Sequence, residues 1–166
     1  NAKKFSTLDP EKTADQYASD LLMPGYMFEP LTRKCHHTCF DAVMEFRKLF
    51  STSITATAFR LVEFSPEPCM LVCYDAQGKR KWFKRERDLP DKLFPRERMD
   101  HDTYAYDVVN GKMNHSRPNS VPAEAWFDDD GLSNYYVHEE TVRINDGHTL
   151  TLLTWRNERM LERYVG

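Results

Sequence analysis

A short proline-containing segment, Ser65-Pro66-Glu67-Pro68, separates two parts of the sequence in which the apolar residues follow different periods. Before this segment, apolar residues recur at the spacing of amphipathic helices. After it, short apolar or alternating runs are bounded by Gly, Asn and Asp, which favours strands joined by tight turns. The sequence therefore predicts an α+β fold. A helical segment over residues 1–65 would precede a mixed, mainly antiparallel α+β domain over residues 66–166.

The composition excludes several classes of protein. The 166 residues are 40% apolar and 13% aromatic, which is enough for a hydrophobic core and argues against a disordered chain. A net charge of −3 provides no overall attraction to nucleic acid. Because the apolar runs are short, neither a membrane-spanning helix nor a signal peptide is predicted. We therefore expect a cytoplasmic protein with no membrane partner.

The chain begins with Asn1 rather than Met. The pair Asn1-Ala2 is typical of the remnant of a cleaved expression tag, and natural processing or further residues upstream are the alternatives. In each case we expect the sequence to be a piece of a longer protein.

The first predicted helix starts at Asp9-Pro10-Glu11, where Asp is the N-cap, Pro the first helical residue and Glu an acid in the first turn. Pro24-Gly25 ends it. The helix has one apolar stripe that we expect to be buried: Ala14, Tyr17, Ala18, Leu21 and Leu22. Glu11 lies at the edge of this stripe. It either compensates the helix dipole or turns inward towards a cationic group.

Two more helices are predicted over residues 41–50 and 54–64, with Ser53 as the N-cap of the second. The short break between them makes a helix-turn-helix-like unit. The outward face of the second helix would carry four residues that include only one base: Ala56, Phe59, Arg60 and Glu63. Such a face binds phosphates poorly, so we favour a packing or protein-docking pair. The alternative is a DNA-binding unit with Ser53–Phe64 as recognition helix.

The four cysteines form two pairs with the same spacing. Cys35 and Cys39 flank two histidines and could converge on a metal if they lay on a helix. Cys69 and Cys73 lie in a strand-like run, which would place them about 13 Å apart, too far to share one ion. We expect free thiols in a reducing compartment and no functional metal at either pair.

Two features of the second part have two interpretations each. The basic run Lys79–Arg85 suits an edge strand protected by lysines, which we favour, or a nucleic-acid strand. The aromatic residues either fill a core or line a small-molecule pocket. They are Trp82, Tyr104, Tyr106, Trp126, Phe127, Tyr135, Tyr136 and Trp155.

The first helix also contains a motif, in which Glu11 is followed by Ala14 and by the run Tyr17-Ala18-Ser19-Asp20-Leu21-Leu22-Met23-Pro24. This segment resembles one helix of the ImmA/IrrE family of zinc metallopeptidases. That helix has a Glu, three residues later an Ala, then an aromatic-Ala pair and Leu-Leu-Met-Pro.

The resemblance extends beyond this helix. Phe40–Phe64, with Ser53 and Arg60-Leu61, is similar to the helical hairpin that follows in the family. The later hairpins and aromatic strands resemble its less regular C-terminal part, which is a GAF/PAS-like sensory domain in some members. The resemblance depends on motif residues over residues 8–65. For the remaining residues it depends only on the similar order of segments along the chain.

The resemblance implies a role for Glu11. In the family, zinc is held by two histidines of a His-Glu-x-x-His helix and by the Glu that Glu11 matches, and the intervening Glu is the general base. The nearest string here, His138-Glu139-Glu140-Thr141-Val142, has Val in place of the second His and lies in strand-like sequence. Glu11 is thus the implied metal ligand, and this chain contains no catalytic residue. Zinc would bind in the parent protein, whose ligand helix would lie upstream of Asn1, and not in this chain alone.

The function implied is that of a C-terminal regulatory portion of such a peptidase. The parent would cleave a transcriptional repressor, which is its expected protein partner. The C-terminal domain would sense a small-molecule ligand or a partner and control cleavage. Two alternatives come from other classes: a ligand-sensing DNA-binding regulator, and a catalytically inactive scaffold that docks a protein.

Overall fold

Four helices form the N-terminal part of the chain. The computed structural model describes residues 10–165, and the side chains from residue 14 onward except that of Asp146. The helices are α1 (Pro10–Leu22), α2 (Gly25–Lys34), α3 (Phe40–Phe50) and α4 (Ile54–Glu63). The predicted helices over 41–50 and 54–64 are confirmed as α3 and α4. Within the described range, no helix has the length and apolar character that crossing a bilayer requires.

Helix α2 is missing from the sequence-based prediction. Pro24-Gly25 reads as a helix end, yet Pro24 occupies the N-cap of α2, where its missing N–H removes no helical hydrogen bond. Phe28 explains why the chain continues as a helix. Its side chain is fully buried, and its ring lies 5.4 Å from that of Phe46 and 5.5 Å from that of Phe50. Burying such a ring contributes about 1.5–3 kcal/mol, which helps to offset the cost of Pro30 inside the helix.

Five antiparallel strands form one sheet in the order β2-β1-β5-β4-β3. They are β1 (Cys69–Tyr74), β2 (Arg80–Arg85), β3 (Asn119–Pro122), β4 (Tyr136–Arg143) and β5 (Thr149–Thr154). Two short helices, α5 (Tyr104–Val109) and α6 (Arg159–Glu162), accompany the sheet. The predicted turn at Asn145-Asp146-Gly147 joins β4 to β5, and Gly147 has a φ of +73°, which favours glycine. The predicted α+β fold is confirmed.

Two hydrophobic cores cover the two faces of this sheet. Strand β1 is buried along its whole length, and its side chains alternate between the cores. Met70, Val72 and Tyr74 join the core that includes α5, whereas Cys69, Leu71 and Cys73 join the core formed with α2, α3 and α4. The helical segment therefore packs on one face of the sheet. The predicted boundary near residue 65 falls between α4 and β1, and the division into two domains stays a prediction.

Candidate functional site

The apolar stripe of α1 is exposed, and the prediction that it would be buried is wrong. Tyr17 is 68% exposed, Leu21 79% and Leu22 56%. Ala14 and Ala18 are exposed as well, and Ser19 is the one side chain within residues 14–22 that is not. The stripe follows helical period as expected, but no described part of the chain packs over it. We call Tyr17, Leu21 and Leu22 the α1 face.

The α1 face continues along the chain into the start of α2. Tyr26 and Met27 are also exposed, whereas Met23, which lies between the two helices, is buried. Large apolar side chains that are exposed singly are ordinary, but a run of five within residues 17–27 is typical of a surface that another protein segment covers.

A buried arginine attaches the C-terminal end of α1 to α4. Arg60 is 4% exposed, and its Nε and Nη2 donate to the carbonyl oxygen of Met23 at 3.0 and 2.9 Å. Its Nη1 donates to Glu63 at 2.9 Å, and Nη2 lies 3.1 Å from a carboxylate oxygen of Asp20. The guanidinium also stacks over the Phe64 ring, 4.7 Å from its centre. A cation at this position suits the negative end of a helix and satisfies a carbonyl that the helix itself leaves free.

The burial of Arg60 corrects the predicted outward face of α4. Arg60 is turned inward to α1 rather than outward to a ligand. Phe59 also has partners, since its ring lies 6.2 Å from that of Trp82 and the Lys84 ammonium sits 4.9 Å above it. Arg60 is the one base on this face, and its side chain is already hydrogen-bonded within the protein. Helix α4 is therefore less suited to bind DNA phosphates than the sequence suggests.

Glu11, the predicted metal ligand, lies in the first turn of α1, and its side chain is outside the described residues. Its role as a zinc ligand therefore stays a prediction. Among the described residues, one group of three metal-ligating side chains converges, Asp100-His101-Asp102, on a loop distant in sequence from α1. The described part of the chain does not assemble a zinc site around α1.

The cysteines are free thiols, as expected. Cys35 and Cys39 do not share a helix, because Cys35 follows α2 as its C-cap and Cys39 precedes α3 as its N-cap. Cys69 and Cys73 lie in β1 and are buried, and burial raises the pKa of the Cys69 thiol to about 12 and that of the Cys73 thiol to about 11. At neutral pH both buried thiols are protonated and unreactive.

The string His138-Glu139-Glu140 lies in strand β4, as its sequence predicts, and its two acids point to opposite faces of the sheet. The Glu139 carboxylate is fully buried and accepts four hydrogen bonds, two on each oxygen. The donors are the N–H groups of Tyr104 (3.2 Å) and Ala105 (2.6 Å), Nε1 of Trp126 (3.0 Å) and the Thr141 hydroxyl (3.1 Å). Burial raises the pKa of Glu139, and these donors, which favour the ionised form, oppose that shift.

Glu140 faces the helical segment instead. Its Oε2 accepts a hydrogen bond of 2.9 Å from the N–H of Phe40, the first residue of α3. Burial, together with the nearby Asp41 carboxylate, raises the pKa of Glu140 from an ordinary 4.5 to about 7. Glu139 and Glu140 thus connect β4 to α5 on one face and to α3 on the other. Their function is structural, and neither contacts a metal-ligating histidine in the way a peptidase motif requires.

The aromatic residues mainly fill the core rather than line a pocket. Trp126 is buried with its ring 5.9 Å from that of Tyr74, and Phe127 is buried with its ring 5.9 Å from that of Trp155. A surface groove of about 640 Å³ includes Phe127, but charged residues form much of its lining. Tyr136 is exposed.

The basic run lies in strand β2 at the edge of the sheet, as favoured from the sequence. Its two arginines in β2 form hydrogen bonds within the protein. Arg80 donates to the carbonyl oxygen of Pro95, and Arg85 donates to those of Leu93 (2.9 Å) and Asp91 (2.8 Å). A nucleic-acid strand would have to compete with these hydrogen bonds.

Comparisons of this chain with models of protein families, and with curated proteins, found no match. The resemblance to the ImmA/IrrE family therefore stays a prediction that depends on the motif in α1.

Sequence reasoning missed Arg60 as the anchor of α1 and Glu139 as the centre of a hydrogen-bond network. The partners of Arg60 lie up to 40 residues away and those of Glu139 up to 35, so no local spacing identifies either residue. The one local signal concerned Glu139, an acid that lies between Val137 and Val142 in a strand, since a carboxylate is buried when donors satisfy it.

Proposed function

We propose that this chain is the C-terminal regulatory portion of an ImmA/IrrE-like zinc metallopeptidase that cleaves a transcriptional repressor. The observation that supports this most is the exposed α1 face, on the same helix that carries the family motif. In the proposed protein, the helices of the peptidase region pack on Tyr17, Leu21 and Leu22. Glu11, at the other end of this helix, then meets the metal.

The energetics of α1 favour a covering segment. An isolated helix of 13 residues is marginal in water, and its stability in a protein comes mainly from packing of its apolar face. Covering a Leu or Tyr side chain contributes about 1.5–3 kcal/mol. Arg60 holds one end of α1, so the helix is already oriented before another segment docks on it.

In the proposed protein, Glu11 would hold zinc together with two histidines that this chain does not contain. When bound, zinc polarises the scissile carbonyl and activates a water molecule. The four free thiols agree with the cytoplasmic location that a peptidase of this kind would have. The sheet region would have the sensory role, because it shares a core with the helices that hold α1.

The test uses the complete protein with its upstream region. We expect a His-Glu-x-x-His helix there and one equivalent of zinc by atomic absorption. Glu11→Gln should reduce retained zinc after dialysis, because the amide is a weaker ligand. Asp15→Asn, an exposed acid on the same helix, is the matched control and should retain the metal. Unchanged zinc in Glu11→Gln, or an upstream region without the histidine pair, would refute the proposal.

The α1 face also favours a second function, that of an inactive scaffold that docks a partner protein on α1. Absence of zinc from the complete protein, combined with burial of α1 in its complex with a partner, would distinguish the scaffold from the peptidase. The DNA-binding alternative has less support, because Arg60 is buried. It predicts DNA affinity that falls steeply with salt.

A further inference from the structure

A groove of about 560 Å³ lies where α4 ends, β1 begins and β2 ends. Its described lining includes three residues that contribute apolar surface, Phe64, Pro66 and Pro68, and one base, Arg87. The other lining residues are Ser65 and six acids: Glu29, Glu63, Glu67, Glu86, Asp88 and Glu158. We call this the acidic groove. Its excess of acids over bases gives it a negative potential that attracts cations.

Glu86 distinguishes the acidic groove from an ordinary solvated surface. It is 8% exposed, and a Glu so buried is rare unless a partner compensates its charge. The N–H of Asp88, in the same turn of the chain, donates to its Oε2 at 3.0 Å. Within the described residues, no base forms an ion pair with it. Burial raises the pKa of Glu86, so its ionised form is costly and a bound cation would favour that form.

The Glu86 carboxylate lies on the face of the sheet that the helical segment covers. The Glu86 N–H donates to the Cys69 carbonyl oxygen at 2.9 Å, so this residue extends the pairing of β2 with β1. Burial raises the pKa of the Cys69 thiol, and the nearby carboxylates of Glu86 and Glu67 raise it further. The Cys69 side chain packs in the core formed with α2, α3 and α4. Glu86 and Glu67 therefore line the groove on the same face of the sheet.

The base in the lining does not neutralise Glu86. The Nε of Arg87 lies 3.6 Å from the Asp88 carboxylate, and the Arg87 side chain is 89% exposed. Glu158, another acid of the lining, is exposed and likewise has no ion-pair partner among the described residues. Glu86 and Glu158 are thus available to a cation from outside the described chain.

A second groove, of about 260 Å³, has the same balance of charge, with six acids and one base, Arg96. None of its acids is buried. The Asp129 carboxylate there already accepts hydrogen bonds from the Tyr164 hydroxyl at 2.6 Å and the Gly131 N–H at 2.8 Å. The number of acids therefore does not by itself indicate a binding site, whereas the buried Glu86 without a compensating base does.

We propose that the acidic groove binds a segment of a partner protein that contains arginine or lysine, with one basic side chain beside Glu86. Such a side chain can pack its methylene groups on Phe64, Pro66 and Pro68 while its charged end meets the carboxylates. A guanidinium or ammonium group donates the charged hydrogen bonds that a carboxylate accepts. Binding here does not depend on whether the chain belongs to a peptidase.

A basic segment fits the acidic groove better than a metal ion does. Metal ligands converge on one point, and among the described residues no three side chains of this groove bring their ligand atoms that close together. The carboxylates come instead from α2, from the segment after α4, from the residues that follow β2 and from Glu158. Charges distributed in this way suit several basic groups along an extended segment.

The test is a titration of the ¹⁵N-labelled chain with a peptide that alternates glycine and arginine. We expect saturable shifts of the amides at residues 63–65 and 86–88. The same peptide with citrulline in place of arginine retains the size of the side chain without its charge, and it should not bind. Raising the salt concentration should weaken binding of the arginine peptide, because salt screens its attraction to the carboxylates.

Three variants with the same change of charge locate the binding site. Glu86→Gln retains an acceptor for the Asp88 N–H and should weaken binding about tenfold, because it removes a charged hydrogen-bond acceptor. Glu158→Gln changes an exposed residue, so it tests the groove even if Glu86→Gln fails to fold, and it should weaken binding about two- to fivefold. Glu124→Gln, an exposed acid of the second groove, is the matched control and should bind as the unchanged chain does.

Four results would overturn the proposal. The first is a set of shifts that do not saturate, and the second is equal binding of the citrulline peptide. The third is an unchanged affinity in Glu86→Gln or, if that variant does not fold, in Glu158→Gln. The fourth is a saturable shift of the same amides by calcium chloride at a lower concentration than the peptide requires, which would indicate a metal site instead.

Discussion

Glu139 and Glu140 show how neighbouring residues of one type acquire different chemistry from their surroundings. Four donors surround the Glu139 carboxylate, and they oppose the rise in its pKa that burial causes. Glu140 accepts one backbone N–H, from Phe40, and Asp41 adds a like charge. One hydrogen bond thus opposes the burial of Glu140, and its ionised form is costly in the folded state.

Replacing Glu140 tests this difference. Its pKa is raised from 4.5 to about 7, so between these values the folded state binds more protons than the unfolded state. The free energy of unfolding therefore falls as pH rises through this window. Glu140→Gln retains an acceptor for the Phe40 N–H and has no charge to bury. We expect it to stabilise the chain by about 1–3 kcal/mol at pH 8 and to have little effect near pH 4.5.

Urea denaturation at several pH values measures the effect of Glu140→Gln. Asp41→Asn is a control for the like charge, because it should stabilise less and lower the pKa of Glu140. Equal stability of Glu140→Gln and the unchanged chain at pH 8 would show that the Glu140 carboxylate is not destabilising.

At the scale of elements, α1 depends on one side chain of α4. Arg60→Met removes the hydrogen bonds to the Met23 carbonyl and leaves Glu63 without its partner. We expect a loss of about 2–4 kcal/mol in stability, since breaking a buried ion pair leaves unpaired groups behind. Arg60→Met should also increase the rate of amide hydrogen exchange more in α1 than in β1, because α1 loses its attachment to α4.

Arg33→Met is the control for this prediction. Arg33 is an exposed arginine on α2 with an i, i+4 partner, Glu29, and such pairs contribute little. Exchange in α1 that stays unchanged in Arg60→Met would mean that other contacts hold this helix.

Elements with strong local signals were predictable. The Ser53 N-cap and the apolar stripes define α3 and α4, and Asn145-Asp146-Gly147 defines the turn between β4 and β5. Helix α2 was not predictable, because Pro24 and Pro30 suppress its local signal and the burial of Phe28 against distant rings overrides it. The apolar stripe of α1 was recognised, but the helical spacing of its residues does not show which segment, if any, packs on it.

At the scale of the whole molecule, strand order and the assignment of faces could not be read from the sequence. β1 pairs with β5, which lies about 80 residues later, and both faces of β1 are buried. Burial on both faces removes the alternation that would indicate a partner. For the site, the motif around Glu11 was visible because it is contiguous, whereas the contact of Arg60 with the Met23 carbonyl depends on α1 and α4 meeting in the fold.

The α1 face leads to a prediction that compares this chain with the complete protein. Leu21→Gln should change the stability of this chain by less than about 0.5 kcal/mol, because Leu21 is 79% exposed. In the complete protein, the same change should cost about 1.5–3 kcal/mol, since the side chain would be covered there. Thermal or urea denaturation of both proteins measures the difference.

Leu49→Gln, an exposed leucine on α3, is the control and should have a small effect in both proteins. If Leu21→Gln has an equally small effect in the complete protein, α1 is not the surface on which the upstream region packs.

The contacts along β2 have a consequence for how the molecule behaves at high concentration. The outer strand of an open sheet can recruit a strand from another molecule and begin a fibril-like stack. Here, Arg80 and Arg85 hold residues 91–95 beside the outer side of β2. At the opposite border, β3 is only four residues long and ends in Pro122, which has no N–H to donate. Both borders are thus protected against polymerisation, which a chain with an exposed apolar helix face needs in order to stay dispersed.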